Sequence, residues 1–286
     1  MPKPNPNHKV FSIPKPILLT GKFLQFLSPK LAANFVLKLF KTPFKFKRPK
    51  REDKMYQEAS KEMLLIPELQ KSIQVYKYGQ GTKKVLLIHG WAGRGTQLYK
   101  IGENLAKKSY QVISFDATAH GDSEGKTSAM PEYIKSIFEI DKQYGPFEFA
   151  IGHSLGGMAL LQAVKDGFTV KKMVTLGSGD SILDICKQFV NRLGLQPKIA
   201  YLLKDKMDKV LGMDSELLSA NVAAKEVIIP TLVVHDKQDE DVPVSCAHNI
   251  RQSLKNGELL ITDGLGHRRI LIDTKVIDQI IHFLEK

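Results

Sequence analysis

From residue 72 onward, short apolar runs alternate with stretches of helical spacing. VLLIHG ending at Gly90, VISFD at 112–116, FEFAIGHS at 147–154, KMVTLGS at 172–178, TLVVHD at 231–236 and ELLITDG at 258–264 have strand length. Continuous apolar runs of that kind fill strands buried on both faces of a sheet. Ser72 to Tyr78 instead alternates, as an edge or early strand does, and the Gly79/Gly81 pair after it supplies a turn. Helical spacing covers 96–109, 131–144, 155–166 and 244–254, and the closing stretch 275–284 places Val276, Ile277, Ile280, Ile281 and Leu284 on one face. Strands and helices alternating at these lengths predict an α/β fold, a doubly wound, mostly parallel sheet covered on both faces.

Two segments break the rhythm. Residues 180–226 hold amphipathic pieces and no strand, and an insertion above the carboxyl ends of a doubly wound sheet sits over the ligand crevice, so a small helical lid is expected there. Residues 1–54 form a basic, partly helical extension to a domain spanning 55–286. Its first sixteen residues are punctuated by proline. Leu24, Leu27, Leu31, Phe35 and Leu39 follow at near-helical spacing, interrupted by Pro29. The run KFKRPKR at 45–51 reads as an exposed linker.

Charge sharpens this division. The formal net charge is +12, but residues 1–54 carry 13 Lys/Arg against 2 Asp/Glu, and the rest of the chain is nearly balanced. The basicity belongs to the extension and gives no reason to assign the main body to nucleic acid. The extension has two readings: a collar packed on the protein itself or a second subunit, or an arm making weak peripheral contact with a membrane through residues 17–51. The collar is the preferred expectation, because the large apolar side chains would otherwise lie exposed. Lys22, Lys30 and Lys38 interrupt the longest apolar stretch, so no spanning helix is expected, and neither is a signal peptide. Cys186 and Cys246 have no metal-like spacing and are expected to be reduced thiols of a cytoplasmic protein, free or peripheral to the inner membrane face.

The chemistry concentrates in loops after strands. GHSLG at 152–156 lies between a strand and a helix, where a sharp turn between glycines lifts the Ser154 hydroxyl clear of the sheet. Such a hydroxyl needs a base oriented by a third group. His267, in DGLGH after the last strand, is the expected base. His248 and His282 lie on predicted helices and are expected to be structural or exposed. For the acid, HDKQDEDVP offers Asp236, Asp239 and Asp241, and Asp180 follows an earlier strand. Asp239 is favoured by its place in the loop facing the histidine, and Asp241 is read as a helix cap. The backbone N–H groups of Leu155 and Trp91 are the expected oxyanion donors, while His89 is expected to stiffen the Trp91 loop. Nothing in the glycine loops matches a phosphate-binding motif. His89, His120, His153 and His267 lie on separate loops without metal spacing, so neither cofactor nor metal is expected.

In order along the chain, HGWAG at 89–93, FDATAHGDSEG at 115–125, IGHSLGG at 151–157, PTLVVHDKQDEDVP at 230–243 and GLGH at 264–267 resemble the α/β-hydrolase superfamily. HGWAGRGTQ, ATAHG and GLGHRRI are similar to a bacterial serine esterase subgroup with a basic N-terminal extension. The resemblance implies Ser154 as nucleophile, Asp239 as acid and His267 as base. It also implies bracing roles for His120 and Asp122, and an ester or acyl small molecule as substrate. Arg268 and Arg269 are read either as binding an acidic substrate group or, preferentially, as bridging loops. The expected activity is carboxylic ester cleavage through an acyl-enzyme. Thioesterase or lysophospholipase activity and a non-catalytic binding or scaffold role stand as alternatives, and the oligomeric state is open.

Overall fold

A computed structural model describes residues 13–286. The proline-rich start expected to be irregular lies, up to residue 12, outside the described residues. In chain order the elements are α1 (Lys15–Leu27), α2 (Pro29–Lys41), α3 (Asp53–Glu58), β1 (Ser60–Ile66), β2 (Lys71–Tyr78) and β3 (Lys83–Ile88). Next come α4 (Tyr99–Lys107), β4 (Tyr110–Phe115), α5 (Met130–Tyr144), β5 (Phe149–His153), α6 (Leu155–Lys165), β6 (Lys172–Leu176), α7 (Ile182–Arg192) and α8 (Lys198–Leu211). The chain closes with α9 (Ala220–Ala223), β7 (Thr231–Asp236), α10 (Ser245–Ser253), β8 (Gly257–Thr262), α11 (Gly266–Arg269) and α12 (Thr274–Glu285). They divide into two compact units, one of residues up to Phe40 with Ile182–Ser215, the other of Lys41–Ser181 with Glu216–Lys286.

The larger unit is a single eight-stranded sheet in the order β1-β2-β4-β3-β5-β6-β7-β8. β3 to β8 are parallel, and β1 and β2 form an antiparallel hairpin on the β4 edge. Val85 to Ile88 of β3 are all fully buried, as expected of a strand covered on both faces. Val85 and Leu87 join a core with Ile101 and Leu105 of α4 and Ile277 and Ile280 of α12, so the alternating Leu86 and Ile88 serve the opposite face.

The expected doubly wound α/β architecture is present, with one strand the apolar pattern does not reveal. β1 reads SKEMLLI, and its apolar residues are consecutive while Met63 and Leu65 stay exposed. An edge strand with apolar side chains in solvent lacks the alternation that identifies strands. The helix expected over 96–109 begins as a 3-10 turn over Gly95–Leu98, before α4. The 45–51 linker is exposed, as expected, apart from half-buried Arg48 and Pro49, and it is anchored at two points. Lys45 Nζ donates to Gly121 O at 3.2 Å, and half-buried Arg48 donates to Asp122 at 3.0 Å and lies over the Tyr56 ring.

The smaller unit joins the two segments that break the strand–helix rhythm. Gln25 Oε1 accepts the Gln196 N–H at 2.7 Å, and Phe40 meets Phe189 edge-on at 5.2 Å between centroids. A Cβ on Gly21 would sit 3.5 Å from the Leu195 side chain, ordinary contact distance. The arm therefore packs on the inserted helices, and only in part through the side chains its spacing suggests: Leu24, Phe35 and Leu39 are half-buried. Leu27 and Leu31 are 55% and 46% exposed, whereas Gly21, Ala32, Ala33 and Val36 are buried. Ser28 is extended (φ −164°, ψ 129°), which ends α1 and resets the helical phase, so positions before and after Pro29 do not define one face.

Candidate active site

The parallel strands end at loops that carry every residue expected to react. Strand order reverses around β3, with β4 on one side and β5 on the other, which opens a crevice at their carboxyl ends. Ser154 stands there, between β5 and α6, at φ +53° and ψ −119°. A non-glycine residue held at positive φ stores roughly 1–3 kcal/mol of strain, which the packed strand and helix must hold. The turn tolerates no side chain beneath it, since a Cβ on Gly156 would lie 2.5 Å from the carbonyl oxygens of Ile88 and His89. Gly90 is equally constrained, because its Cβ would meet Ser154 Cβ at 2.8 Å. The β3 loop thus runs directly against the serine turn. The backbone N–H groups of Trp91 and Leu155 make no hydrogen bond to another described residue.

His267 lies in α11, half-buried, with Nδ1 2.7 Å from Asp239 Oδ2. Its ring packs against His153, the residue before Ser154, at 4.6 Å between centroids, and its carbonyl accepts from His153 Nε2 at 3.0 Å. A Cβ on Gly177 would stand 3.1 Å from His267 Nδ1 and 3.4 Å from Asp239 Oδ2, so the end of β6 is pressed against the pair. The Asp239 side chain is almost fully buried. Burial pushes its carboxyl up, but His235, His267 and the Val242 N–H outweigh that and hold it well below the usual carboxylate range.

The other acids are occupied elsewhere. Asp236 accepts from Thr262 Oγ1 at 2.7 Å, Leu265 N at 2.9 Å and Gln238 N at 2.9 Å, fastening the His267 loop to β7. Burial opposes its ionisation, and these bonds with that from the Gly266 N–H keep it ionised below the ordinary range. Asp180 accepts from Asn249 Nδ2 at 2.6 Å. The N–H groups of Asp241 and Val242 donate to Asp239 Oδ1 at 2.9 and 2.8 Å, and the N-cap position of the following helix is Val244.

His89 braces the Trp91 loop. With Nδ1 protonated it donates to Gly90 O at 2.6 Å, leaving Nε2 to accept from Ala117 N at 2.9 Å. Burial, then the nearby His120, drives its pKa well below the usual histidine value, so it remains neutral. His120 donates to Thr118 O at 2.9 Å, and burial lowers it to about 4. Asp122 pairs with Arg48. Arg269 donates to the carbonyls of Leu265 and Gly264, tying its own loop, and His248 and His282 are exposed on α10 and α12.

Three contributors carry no sequence signal. His153 is fixed by its carbonyl acceptor on His267. His235, fully buried on β7, donates from Nε2 to Val242 O at 2.9 Å with Asp239 Oδ2 3.4 Å away. Asp116 accepts from Gly95 N, Asp122 N and the Tyr76 hydroxyl, clasping three segments below the β3 loop, and burial raises its pKa to about 6 despite those bonds. A cavity of about 210 Å³ lies between the 44–48 linker, Ala92–Arg94 and His120–Asp122. Among the described residues no cluster of three His, Cys, Asp or Glu side chains is arranged to hold a metal.

Comparison with known proteins places this arrangement. An α/β-hydrolase-fold family model matches residues 83–192, and a TAP-like protein model of the same fold type matches 214–286. No curated protein sequence matches the chain. Among solved structures, an esterase from Exiguobacterium antarcticum is similar at 16% identity and a TM-score of 0.63, over 79% of this chain and 100% of that one. A bromoperoxidase from Bacillus anthracis is similar at 18% identity and a TM-score of 0.61, over 79% and 100%. The thioesterase domain of a curacin biosynthetic pathway follows at 14% identity and 0.60, over 80% and 99%. At these identities the structures share the fold alone. With the eight-stranded sheet, the strained serine turn and the two matching family models on one chain, the protein belongs to the α/β-hydrolase superfamily.

Proposed function

We propose that the protein is a serine hydrolase that cleaves carboxylic esters through an acyl-enzyme. The observation that carries this reading is the positive-φ Ser154 turn beside a histidine whose Nδ1 is bonded to a buried, ionised aspartate. With Nδ1–H held by Asp239, His267 Nε2 is the free base. It takes the Ser154 proton as Oγ bonds to the substrate carbonyl carbon, and the carbonyl electron pair moves to oxygen. That oxyanion is received by the uncommitted N–H groups of Trp91 and Leu155. Collapse of the tetrahedral species breaks the bond to the alcohol oxygen, which takes the proton from His267. Water then repeats the sequence on the acyl-enzyme, releasing the acid and restoring Ser154.

A thioester or lysophospholipid would follow the same steps with a different leaving group, and the esterase and thioesterase among the similar structures support acyl transfer on this frame. A purely scaffolding role leaves the burial of an ionised Asp239 against His267 without purpose. A fluorophosphonate probe tests the proposal: it is expected to label Ser154 in the parent and to lose that label in Ser154→Ala, with p-nitrophenyl ester hydrolysis lost in parallel. Labelling of another residue, or ester turnover surviving in Ser154→Ala, overturns it.

A further inference from the structure

The first helix has two apolar faces. At about 100° per residue, Ile17, Gly21 and Leu24 share the side that packs in the smaller unit, where Gly21 faces Leu195. Leu19, Phe23 and Phe26 fall within about 60° of one another on the opposite side, and they are 67%, 60% and 87% exposed. Leu27, on the last turn of α1, extends this stripe and is also exposed. α12 behaves differently: Val276, Ile277, Ile280, Ile281, Phe283 and Leu284 are all buried. A helix apolar all round normally has both faces covered, so the outer face of α1 is a surface awaiting a partner.

The flanking charges identify that partner. Lys15, Lys22 and Lys30 are exposed along and beyond the stripe, and no Asp or Glu occurs before Glu52. A second copy of the chain seated on this face by two-fold symmetry would bring the α1 lysines of one copy against those of the other, with no carboxylate on α1 or α2 to answer them. Aromatic and aliphatic tips between cations, with no acidic residue among them, suit a surface that is apolar below and anionic above. No described helix is long and apolar enough to cross a membrane. α1, of 13 residues, spans roughly 20 Å at 1.5 Å per residue, which fits a helix lying in the interface plane.

We propose that α1 docks the protein on an anionic lipid bilayer. Leu19, Phe23 and Phe26, with Leu27, enter the boundary between headgroups and acyl chains while Lys15, Lys22 and Lys30 meet the lipid phosphates. This rests on the smaller unit alone and is independent of the reading of Ser154. The test uses the full chain carrying Ser154→Ala, so that vesicle lipids are not consumed, in co-sedimentation with phosphatidylcholine vesicles with and without phosphatidylglycerol. Binding is expected only with the anionic lipid and is expected to weaken as salt rises. Phe23→Ser with Phe26→Ser is expected to reduce binding at least about tenfold. Lys15→Gln, Lys22→Gln and Lys30→Gln together reduce it by roughly a hundredfold, at about 1 kcal/mol for each lysine.

Both phenylalanines are exposed, so the serine variant is expected to melt with the parent. As an independent readout, Phe26→Cys carrying bimane is expected to shift its emission to the blue on anionic vesicles, the native cysteines being buried. Unchanged binding in the phenylalanine variant, equal binding to neutral and anionic vesicles, or an unshifted label overturns the proposal. A dimer that the phenylalanine variant dissociates, with no vesicle binding by the parent, overturns it in favour of a second copy.

Discussion

His89 and His267 stand on loops at the carboxyl ends of the sheet that each meet the Ser154 turn, yet their surroundings differ. His89 is fully buried, bonded at both ring nitrogens to backbone and kept neutral by desolvation. His267 is half-buried and bonded at Nδ1 to a carboxylate, and no hydrogen bond of its Nε2 is among those described. An imidazole with both nitrogens committed is a structural clamp. One oriented by a carboxylate on one side and open on the other suits the base of the proposed reaction. The contrast shows that the partners of a histidine, more than its place beside a strand end, decide its chemistry.

Removing the carboxylate tests the contrast most severely. Asp239→Asn is expected to lower kcat for ester hydrolysis by roughly 10²–10⁴-fold, the range for a triad histidine held in the wrong tautomer, with circular dichroism unchanged. Near-parental kcat would take Asp239 out of the reaction. His235→Leu removes the second imidazole from Asp239 and is expected to reduce kcat by a smaller factor, with KM nearly unchanged, because His235 positions the acid without touching substrate.

His89→Leu is expected to act on stability. It strands the Ala117 N–H in a buried site, at a cost of about 1–3 kcal/mol in urea unfolding, whereas His267→Ala is expected to cost under about 1 kcal/mol. Equal destabilisation by the two substitutions would erase the distinction drawn between them.

A pH dependence is also expected from the clasp below the β3 loop. Asp116 has its folded pKa raised to about 6, above the unfolded carboxyl value of about 3.9. Between these values the folded state binds more protons than the unfolded one, so this group's contribution to stability is full below about pH 4 and declines as pH rises through about 6. Asp239 and Asp236, with lowered pKa values, have the opposite sign, and their contribution is lost only on acidification below about pH 4. Melting temperatures between pH 4 and 7 are expected to show the Asp116 decline in the parent and not in Asp116→Asn.

Much of the fold is legible in the chain because a parallel strand buried on both faces must be apolar throughout, as VLLI of β3 and TLVV of β7 are. GHSLG was equally legible, since a turn that admits no Cβ at residue 156 must be written in glycine. β1 is not, because an exposed edge imposes no alternation, and the face of the arm is legible only in part because Ser28 breaks the helical phase.

The acid loop shows the limit most clearly. The sequence determined that a carboxylate should follow β7 and, among Asp236, Asp239 and Asp241, favoured Asp239 by its place in the loop facing the histidine. Only the tertiary structure brings Asp239 Oδ2 to His267 across 28 residues, turns Asp236 back onto Thr262 and Leu265, and sets buried His235 against the acid. Local sequence encodes steric permission and burial, which depend on neighbours along the chain. Which carboxylate meets which imidazole depends on the parallel pairing of β7 with β8, and that exists only once the sheet has formed.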